Sequence, residues 1–173
     1  MRFSTRIPAL SLRDSVAMIW HWQDYDKPHA MKRLMPNGEM TLIVNLHEDV
    51  VRVYDKSSLR LKQTTRGAVL VGAHAEPLVI DSEEQKHVFG IQFRPGAAFL
   101  FFRQPAHELL NAQVDLEDLW RGADLRARLL ACGGDSDACY TNNCTTSEPS
   151  IPPCAMRYIA IAVGLQIWFQ PQD

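Results

Sequence analysis

HVFGIQFRPGAAFLFF, residues 87–102, contains the point at which the residue pattern of the chain changes. Up to Arg94 apolar and polar side chains alternate, which is typical of a strand with one buried face. Pro95 suits the first turn of a helix, where its missing N–H would have had no partner, and the small residues 96–98 allow that turn to lie close to a sheet. The stretch therefore predicts a corner at Arg94, Pro95 and Gly96 between a strand and a helix.

The first half of the chain repeats the period of two in several short segments. EMTLIVNL, residues 39–46, places four apolar side chains on one face. Asn37 and Gly38, just before it, tolerate the positive φ that a tight hairpin turn needs. Further strands are predicted at VVRVY, GAVLVGA and PLVID, and at VAMIWHWQ, which has Val16, Met18, Trp20 and Trp22 on one face. Many short strands at this interval favour an antiparallel barrel or double sheet, and we expect residues 16–94 to form one β barrel.

Beyond Arg94 the apolar spacing lengthens to that of helices. In VDLEDLW, Asp115 stands where a helix cap is expected, and in GADLRARLLACGG Leu125, Leu129 and Leu130 share one side. We therefore expect residues 95–131 to pack as helices outside the barrel. The predicted fold class is α+β, mainly an antiparallel β barrel followed by a C-terminal helical segment.

The chain divides into three parts by composition. Residues 1–131 form the one folded domain expected for this length. Residues 132–153 are rich in Gly, Asp, Asn, Thr, Ser and Pro, which is typical of a polar linker. Residues 154–173 are apolar again, but the run is shorter than the roughly 20 residues that span a membrane.

Charge and targeting signals narrow the class of protein. The net charge is −2 and the isoelectric point is near 6.3, so the chain has no overall attraction to nucleic acid. Arg13 and Asp14 interrupt the apolar N-terminal stretch, which rules out the pattern of a secretory signal peptide. The four cysteines contain no C-x-x-C spacing. We expect a cytoplasmic protein without membrane contact.

The sequence offers little catalytic chemistry. Its six histidines are scattered singly, and the nearest approach to a shared metal-ligand pair is His74 and Glu76 in HAEP. No Gly-x-Ser-x-Gly, Walker loop or Gly-x-Gly-x-x-Gly is present. The sequence therefore predicts no metal, no cofactor, no catalytic residue and no enzyme activity.

A small-molecule pocket is the site that a β barrel of this kind favours. Side chains of one alternation line the interior of a small barrel, and aromatic walls with a few polar tips are the usual composition of such a site. The aromatic or polar residues on predicted strands are Trp20, Trp22, Arg33, Asn45, His74 and Gln92. The alternative is that the tryptophans pack in the core and Arg33 makes a surface ion pair.

Three blocks in a fixed order connect the sequence to a known family. They are RLMPNGEMTLIVNL, VLVGAHAEPLVID and HVFGIQFRPGAAFLFFRQPAHELLNAQVDLEDLW. Over residues 8–130 the chain resembles the N-terminal sensor domain of AraC-type bacterial transcription regulators. The resemblance implies a cupin-like barrel that binds an effector, helices that pair two subunits, and a C-terminal DNA-binding domain of two helix-turn-helix units. The roughly hundred residues of such a domain are missing here, so we expect DNA contact only through a domain absent from this chain.

The apolar residues after the corner predict association. Phe99 and Phe102, together with Leu125 and Leu129 on the later helix, make these segments apolar over more than the single stripe of a lone surface helix. The apolar C-terminal segment adds to this surface. A symmetric homodimer through these helices is expected. The alternative is that the helices pack on one another within one subunit.

Two functions follow from the sequence. The first is the effector-sensing and dimerisation part of an AraC-type regulator, with an unknown small-molecule effector. The alternative is a freestanding cupin-like protein, a small-molecule binder or an enzyme, that has no connection with DNA.

Overall fold

The computed structural model describes residues 2–8, 10–25, 28–120 and 124–131. The segments predicted at 132–153 and 154–173 lie outside these residues. Ten strands occur in the described part of the chain: β1 Arg2–Arg6, β2 Val16–Gln23, β3 Met31–Leu34, β4 Thr41–Asn45, β5 Val51–Tyr54, β6 Leu61–Thr65, β7 Ala68–Val71, β8 Leu78–Asp81, β9 Val88–Phe93 and β10 Gln113–Asp115. The α-helices there are α1 Phe99–Phe102, α2 Leu116–Leu119 and α3 Leu125–Ala131, and 3-10 turns occupy Leu10–Leu12 and Ser82–Gln85.

The strands form two antiparallel sheets. The larger sheet has the order β1-β2-β9-β4-β7-β10, and the smaller has the order β3-β8-β5-β6. The fold is therefore mainly antiparallel β, as the sequence predicted, but the described strands form a double sheet and not one closed ring. The edge strand β6, with the sequence LKQTT, is almost wholly exposed. Short polar edge strands of this kind remain in solvent without a further partner.

The larger sheet separates two environments. The side chains of Met40, Leu42, Val44 and Leu46 are at most 6% exposed, which confirms the predicted buried face of residues 39–46. This face packs against the segment after the corner and against the helices, where it meets Phe101, Phe102, Leu109, Leu116, Trp120, Leu125 and Leu129. The main apolar core thus lies outside the space between the sheets, on the side of the helices.

The corner after β9 differs in detail from the prediction. Helix α1 begins at Phe99 and not at Pro95, because Gly96 has a φ of +78° and residues 95–98 form a turn. The side chain of Arg94 holds this corner against the loop before β2. Its Nε donates to the carbonyl of Arg13 at 2.5 Å, and its backbone N–H donates to that of Ser15 at 2.9 Å.

The region after α1 is less helical than predicted. Residues 113–115 form β10, which pairs with β7 and extends the larger sheet at its edge. The predicted cap at Asp115 is confirmed, since its carboxylate accepts from the backbone N–H of Glu117 at 3.0 Å. In α3, Leu125 and Leu129 are buried and Leu130 is 40% exposed. No helix in the described ranges has the length and apolarity to span a membrane.

Candidate functional site

A cavity of about 330 Å³ lies between the two sheets. This volume falls within the range of roughly 300–1,000 Å³ of pockets that bind small molecules. The larger sheet contributes Trp20, Trp22, Thr41, Ile43, Asn45, Val71, Val88, Gln92 and Gln113, and the smaller sheet contributes Leu34, Val51, Leu78 and Ile80. Connecting segments add Met35, Pro36, Asn37, Glu39, Gly72, His74, Glu84 and Gln85.

The structure brings five of the six predicted pocket residues to this cavity, namely Trp20, Trp22, Asn45, His74 and Gln92. Arg33 is the exception. Its side chain is exposed and Nη2 donates to the carbonyl of Lys56 at 3.2 Å, so it lies on the outer side of the smaller sheet. The strand β3 has the sequence MKRL, which contains no strict alternation of apolar and polar residues. The sequence therefore does not show which face of the sheet Arg33 lies on.

Trp20 owes its place in the wall to a glycine on the neighbouring strand. It pairs with Gly90 in the β2–β9 ladder. The predicted single face of β2 is wrong for Val16, because the register shifts between Val16 and Met18. This shift puts Val16 in the core and Trp20 on the cavity face. Trp20 and Trp22 are two residues apart and therefore share that face.

Trp22 is held by two other rings. Its centroid lies 4.3 Å from that of Phe3 on β1 and 5.8 Å from that of Tyr25, to which it stands edge-on. Aromatic pairs at these separations stabilise each other beyond the area that they bury. Trp20 is thus positioned by Gly90 on β9, and Trp22 by Phe3 on β1 and by Tyr25, which follows β2.

The side chain of Asn45 is hydrogen-bonded to the backbone of the neighbouring loop, which leaves few of its polar groups free for a ligand. Its side chain is 1% exposed. Nδ2 donates to the carbonyl of Val50 at 2.8 Å, and Oδ1 accepts from the backbone N–H groups of His47 and Glu48. The amide therefore closes the loop between β4 and β5, and its hydrogen-bonding capacity is largely used by the backbone.

Glu39 and Gln92 form a polar pair in the wall. Glu39 Oε2 accepts from Gln92 Nε2, and it also accepts from Asn37 Nδ2 at 3.0 Å. Asn37 additionally accepts the backbone N–H of Glu39, so the turn before β4 orients the carboxylate. Sequence reasoning missed Glu39 because it stands just outside the strand, although the Asn37-Gly38 turn was the signal that could have found it.

Glu84 is a second carboxylate in the wall and is 8% exposed. It accepts from the backbone N–H and from Nη1 of Arg52, both at 3.0 Å. Burial raises the pKa of Glu84, while the hydrogen bonds and charge of Arg52 oppose that rise. The polar sequence DSEEQ is typical of a surface loop, and only its 3-10 turn directs Glu84 inward.

His74 has a buried nitrogen without a partner. Its Nε2 makes no hydrogen bond within the described residues. Every other buried side-chain nitrogen or oxygen in those residues has a hydrogen-bond partner. Burial lowers the pKa of His74, and the charge of Lys62 lowers it further, so the imidazole is neutral at neutral pH. Glu76 does not join it in a ligand pair, because Glu76 forms an ion pair with Lys56 at 2.8 Å.

A pair of histidines, His21 and His87, lies on the face of the larger sheet opposite the cavity. Nε2 of His21 and Nε2 of His87 are 2.9 Å apart and share a hydrogen bond. Burial, and secondarily the charge of His87, lowers the pKa of His21 to about 4. Within the described ranges no group of three or more His, Cys, Asp or Glu side chains is placed to hold a metal ion.

The fold and the site define a two-sheet antiparallel β domain with an internal cavity of ligand size. Residues 4–115 match the family described as Domain of unknown function (DUF6597), and the chain belongs to that family. The matched range includes every residue of the cavity wall. No curated protein and no solved structure matches the chain.

Proposed function

We propose that this domain binds a small molecule between its two sheets and acts as the effector-sensing part of an AraC-type transcription regulator in the cytoplasm. The observation that carries the proposal is the cavity of about 330 Å³, whose wall combines apolar side chains with a few polar ones. Concave, mostly apolar sites with a small number of oriented polar groups are the usual form of small-molecule sites.

The polar groups of the wall support a binding role. Asn45 and Glu84 are engaged by the protein itself, whereas His74 retains an unpaired buried nitrogen. Unpaired buried polar atoms are costly, and folded proteins tolerate them mainly where they serve a purpose. The tryptophans provide flat apolar surface on which a ring or hydrocarbon body packs.

The regulatory part of the proposal rests on the resemblance to AraC-type sensor domains. The three sequence blocks that carry it, residues 33–46, 69–81 and 87–120, supply most of the cavity wall. The features that resemble the sensor domains are therefore those that surround the proposed site. Contact with DNA is assigned to a helix-turn-helix domain that is not part of these 173 residues.

Pairing of two subunits belongs to the same proposal. Of the four residues predicted to pair subunits, Phe102, Leu125 and Leu129 are buried in the core of their own subunit, and Phe99 is 50% exposed. Leu100 and Leu110 are 62% and 53% exposed. We propose that a dimer uses these three exposed side chains, since burying exposed apolar area drives association.

Ligand binding is tested with N-phenyl-1-naphthylamine, an uncharged aromatic dye whose fluorescence rises in apolar sites. We expect saturable binding to the full chain. Ile80→Trp fills the cavity and should weaken binding by about tenfold or more, since it replaces the space that the dye needs. Leu61→Trp adds the same ring at an exposed position of β6 and should bind like the wild type.

Equal binding by both variants would exclude the cavity as the site. The regulatory part is tested separately by reading the DNA that follows the coding sequence in all three frames. A helix-turn-helix unit there supports the sensor role, and its absence favours the freestanding binder.

A further inference from the structure

The charged residues that line the cavity are both carboxylates. Two carboxylates, Glu39 and Glu84, line the wall, and none of the lining residues in the described part of the chain is lysine or arginine. Two cations lie behind the wall and are bound to lining residues: Lys32 donates to Gln85 Oε1 at 3.0 Å, and Arg52 donates to Glu84 Oε1 at 3.0 Å. The charges that face the cavity directly are therefore negative, and both cations are already engaged by wall residues.

The two carboxylates are not equivalent. Glu84 is compensated by Arg52 at 3.0 Å, which offsets most of its field in the cavity. Glu39 accepts hydrogen bonds from the amides of Gln92 and Asn37, and no lysine, arginine or histidine of the described residues lies within ion-pair distance of it. Amide donors orient a carboxylate without cancelling its charge. Glu39 is thus the source of the uncompensated negative charge in the wall.

Glu39 shares the cavity with aromatic surface, since Trp20 and Trp22 also line it. Gln92, which donates to Glu39, lies two residues from Gly90 on β9. The indole of Trp20 packs against Gly90. A cavity lined by a carboxylate and by tryptophan rings is a favourable setting for an organic cation, because the ring faces and the carboxylate both attract positive charge. The third titratable side chain of the wall is His74, whose lowered pKa favours the neutral imidazole, so it does not oppose this attraction.

We infer that the cavity selects an apolar molecule that carries a protonated amine and rejects an anion of the same shape, with Glu39 as the residue that sets the preference. This inference rests on the proposed function of the same cavity and names its ligand class. The apolar body of the ligand lies against Trp20 and Trp22, and its ammonium group lies at Glu39. Both parts of the wall are needed for full affinity.

The test is isothermal titration calorimetry of the full chain at neutral pH with three probes of one shape. These are 1-naphthylmethylamine, which is a cation, 1-naphthylmethanol, which is neutral, and 1-naphthoic acid, which is an anion. We expect the amine to bind about tenfold or more tightly than the acid, with the alcohol between them, because the Coulomb energy at contact distance in a partly buried site has that size. Molar salt should narrow the difference.

Glu39→Gln removes the charge but keeps an oxygen that accepts from Gln92. We expect it to bring the affinities for amine and acid to within about twofold, since the electrostatic preference is then lost. Glu117→Gln makes the same change in net charge at an exposed position of α2, outside the cavity, and should leave the ratio unchanged.

The outcomes separate the two proposals. If the alcohol binds but the acid binds as tightly as the amine, the charge preference is wrong and the binding function stands. The charge preference is also wrong if Glu39→Gln keeps the wild-type ratio, or if salt has no effect on that ratio in the wild type. If none of the three probes binds, the binding function fails and this inference fails with it.

Discussion

Gly90 lies directly opposite Trp20 in the β2–β9 ladder, and a methyl group added to it would lie 2.1 Å from Cε2 of the indole. A Cβ atom does not approach a non-bonded atom so closely. The ring therefore occupies the space that a side chain at position 90 would fill. The absence of a side chain on β9 is therefore what allows Trp20 to lie flat against the sheet. One glycine thus shapes the cavity wall.

Gly90→Ala should displace the Trp20 ring. We expect it to lower the free energy of unfolding by about 1–3 kcal/mol, the usual cost of overpacking, and to weaken binding of N-phenyl-1-naphthylamine. Urea unfolding and dye titration measure the two effects. Adding Trp20→Phe should restore part of the lost stability, because the smaller ring leaves room for the methyl group. A Gly90→Ala protein with wild-type stability and binding would contradict the steric role of Gly90.

Gly72→Ala tests a closer approach of two backbone segments. A methyl group there would lie 1.7 Å from the carbonyl oxygen of Leu109. The backbone N–H of Gly72 donates to the carbonyl oxygen of Ala112 at 2.9 Å. Since backbone cannot move aside as a side chain can, we expect a loss of about 3 kcal/mol or more in urea unfolding.

Gly96→Ala provides the comparison for Gly72→Ala. Gly96 has open space but a φ of +78°, so alanine there should cost only about 1–2 kcal/mol. Equal losses at both positions would show that the contact with Leu109 is not the decisive one.

The sequence predicted the strands best where their pattern was strict. The alternation in residues 39–46 identified the buried face of β4, but it could not show that this face meets the helices and not the other sheet. That distinction depends on which sheet each strand joins, which is a long-range property. The short β10 was missed for the same reason, because QVD becomes a strand only through pairing with β7.

The His21–His87 pair should make stability depend on pH. The pKa of His21 is lowered from 6.5 to about 4 in the folded chain, so between these values the unfolded chain binds a proton that the folded chain does not. The contribution of His21 to the free energy of unfolding is therefore fully present above pH 6.5 and is lost as the pH drops toward 4. Urea unfolding at a series of pH values should show a smaller fall in His21→Phe than in the wild type. His107→Phe, at an exposed histidine, serves as the control, and an unchanged fall in His21→Phe would refute the assignment.

Replacing His74 should raise stability. Its Nε2 is buried without a partner in the described part of the chain, and such an atom costs about 1–3 kcal/mol. His74→Phe keeps a ring of similar shape and removes the nitrogen, so we expect the free energy of unfolding to rise by about 1 kcal/mol. His74→Gln keeps a polar group and should give no gain. A loss of stability in His74→Phe would mean that the imidazole is hydrogen-bonded in solution.

Subunit pairing is tested by changing an exposed leucine. Leu100 is 62% exposed on α1, so Leu100→Asp should leave stability nearly unchanged and shift sedimentation equilibrium from the dimer to the monomer mass of 19.6 kDa. Leu129→Asp is not the right test of the dimer, because Leu129 is 6% exposed and an aspartate there should unfold the subunit. A wild-type chain that sediments as a monomer at all concentrations would disprove the pairing.

The site was predictable in part. Strand alternation and residue type placed Trp20, Trp22 and Gln92 at the cavity without any knowledge of the fold. Glu39 was missed although the Asn37-Gly38 turn before it was a usable signal, and Glu84 was beyond reach because hydrogen bonds of the folded chain set its direction. Sequence patterns report the period of regular elements, and they say little about side chains on the segments between them.

The position of β4 in the middle of the larger sheet has a consequence for how the domain can change over generations. Its even-numbered residues hold the molecule together, whereas its odd-numbered residues, Thr41, Ile43 and Asn45, line the cavity. Under the proposed function, substitutions at Thr41 or Ile43 are expected to alter what the cavity accepts while the residues packed against the helices stay unchanged. Selection can therefore retune recognition one residue at a time on a scaffold that stays constant, which is how one architecture comes to serve many ligands.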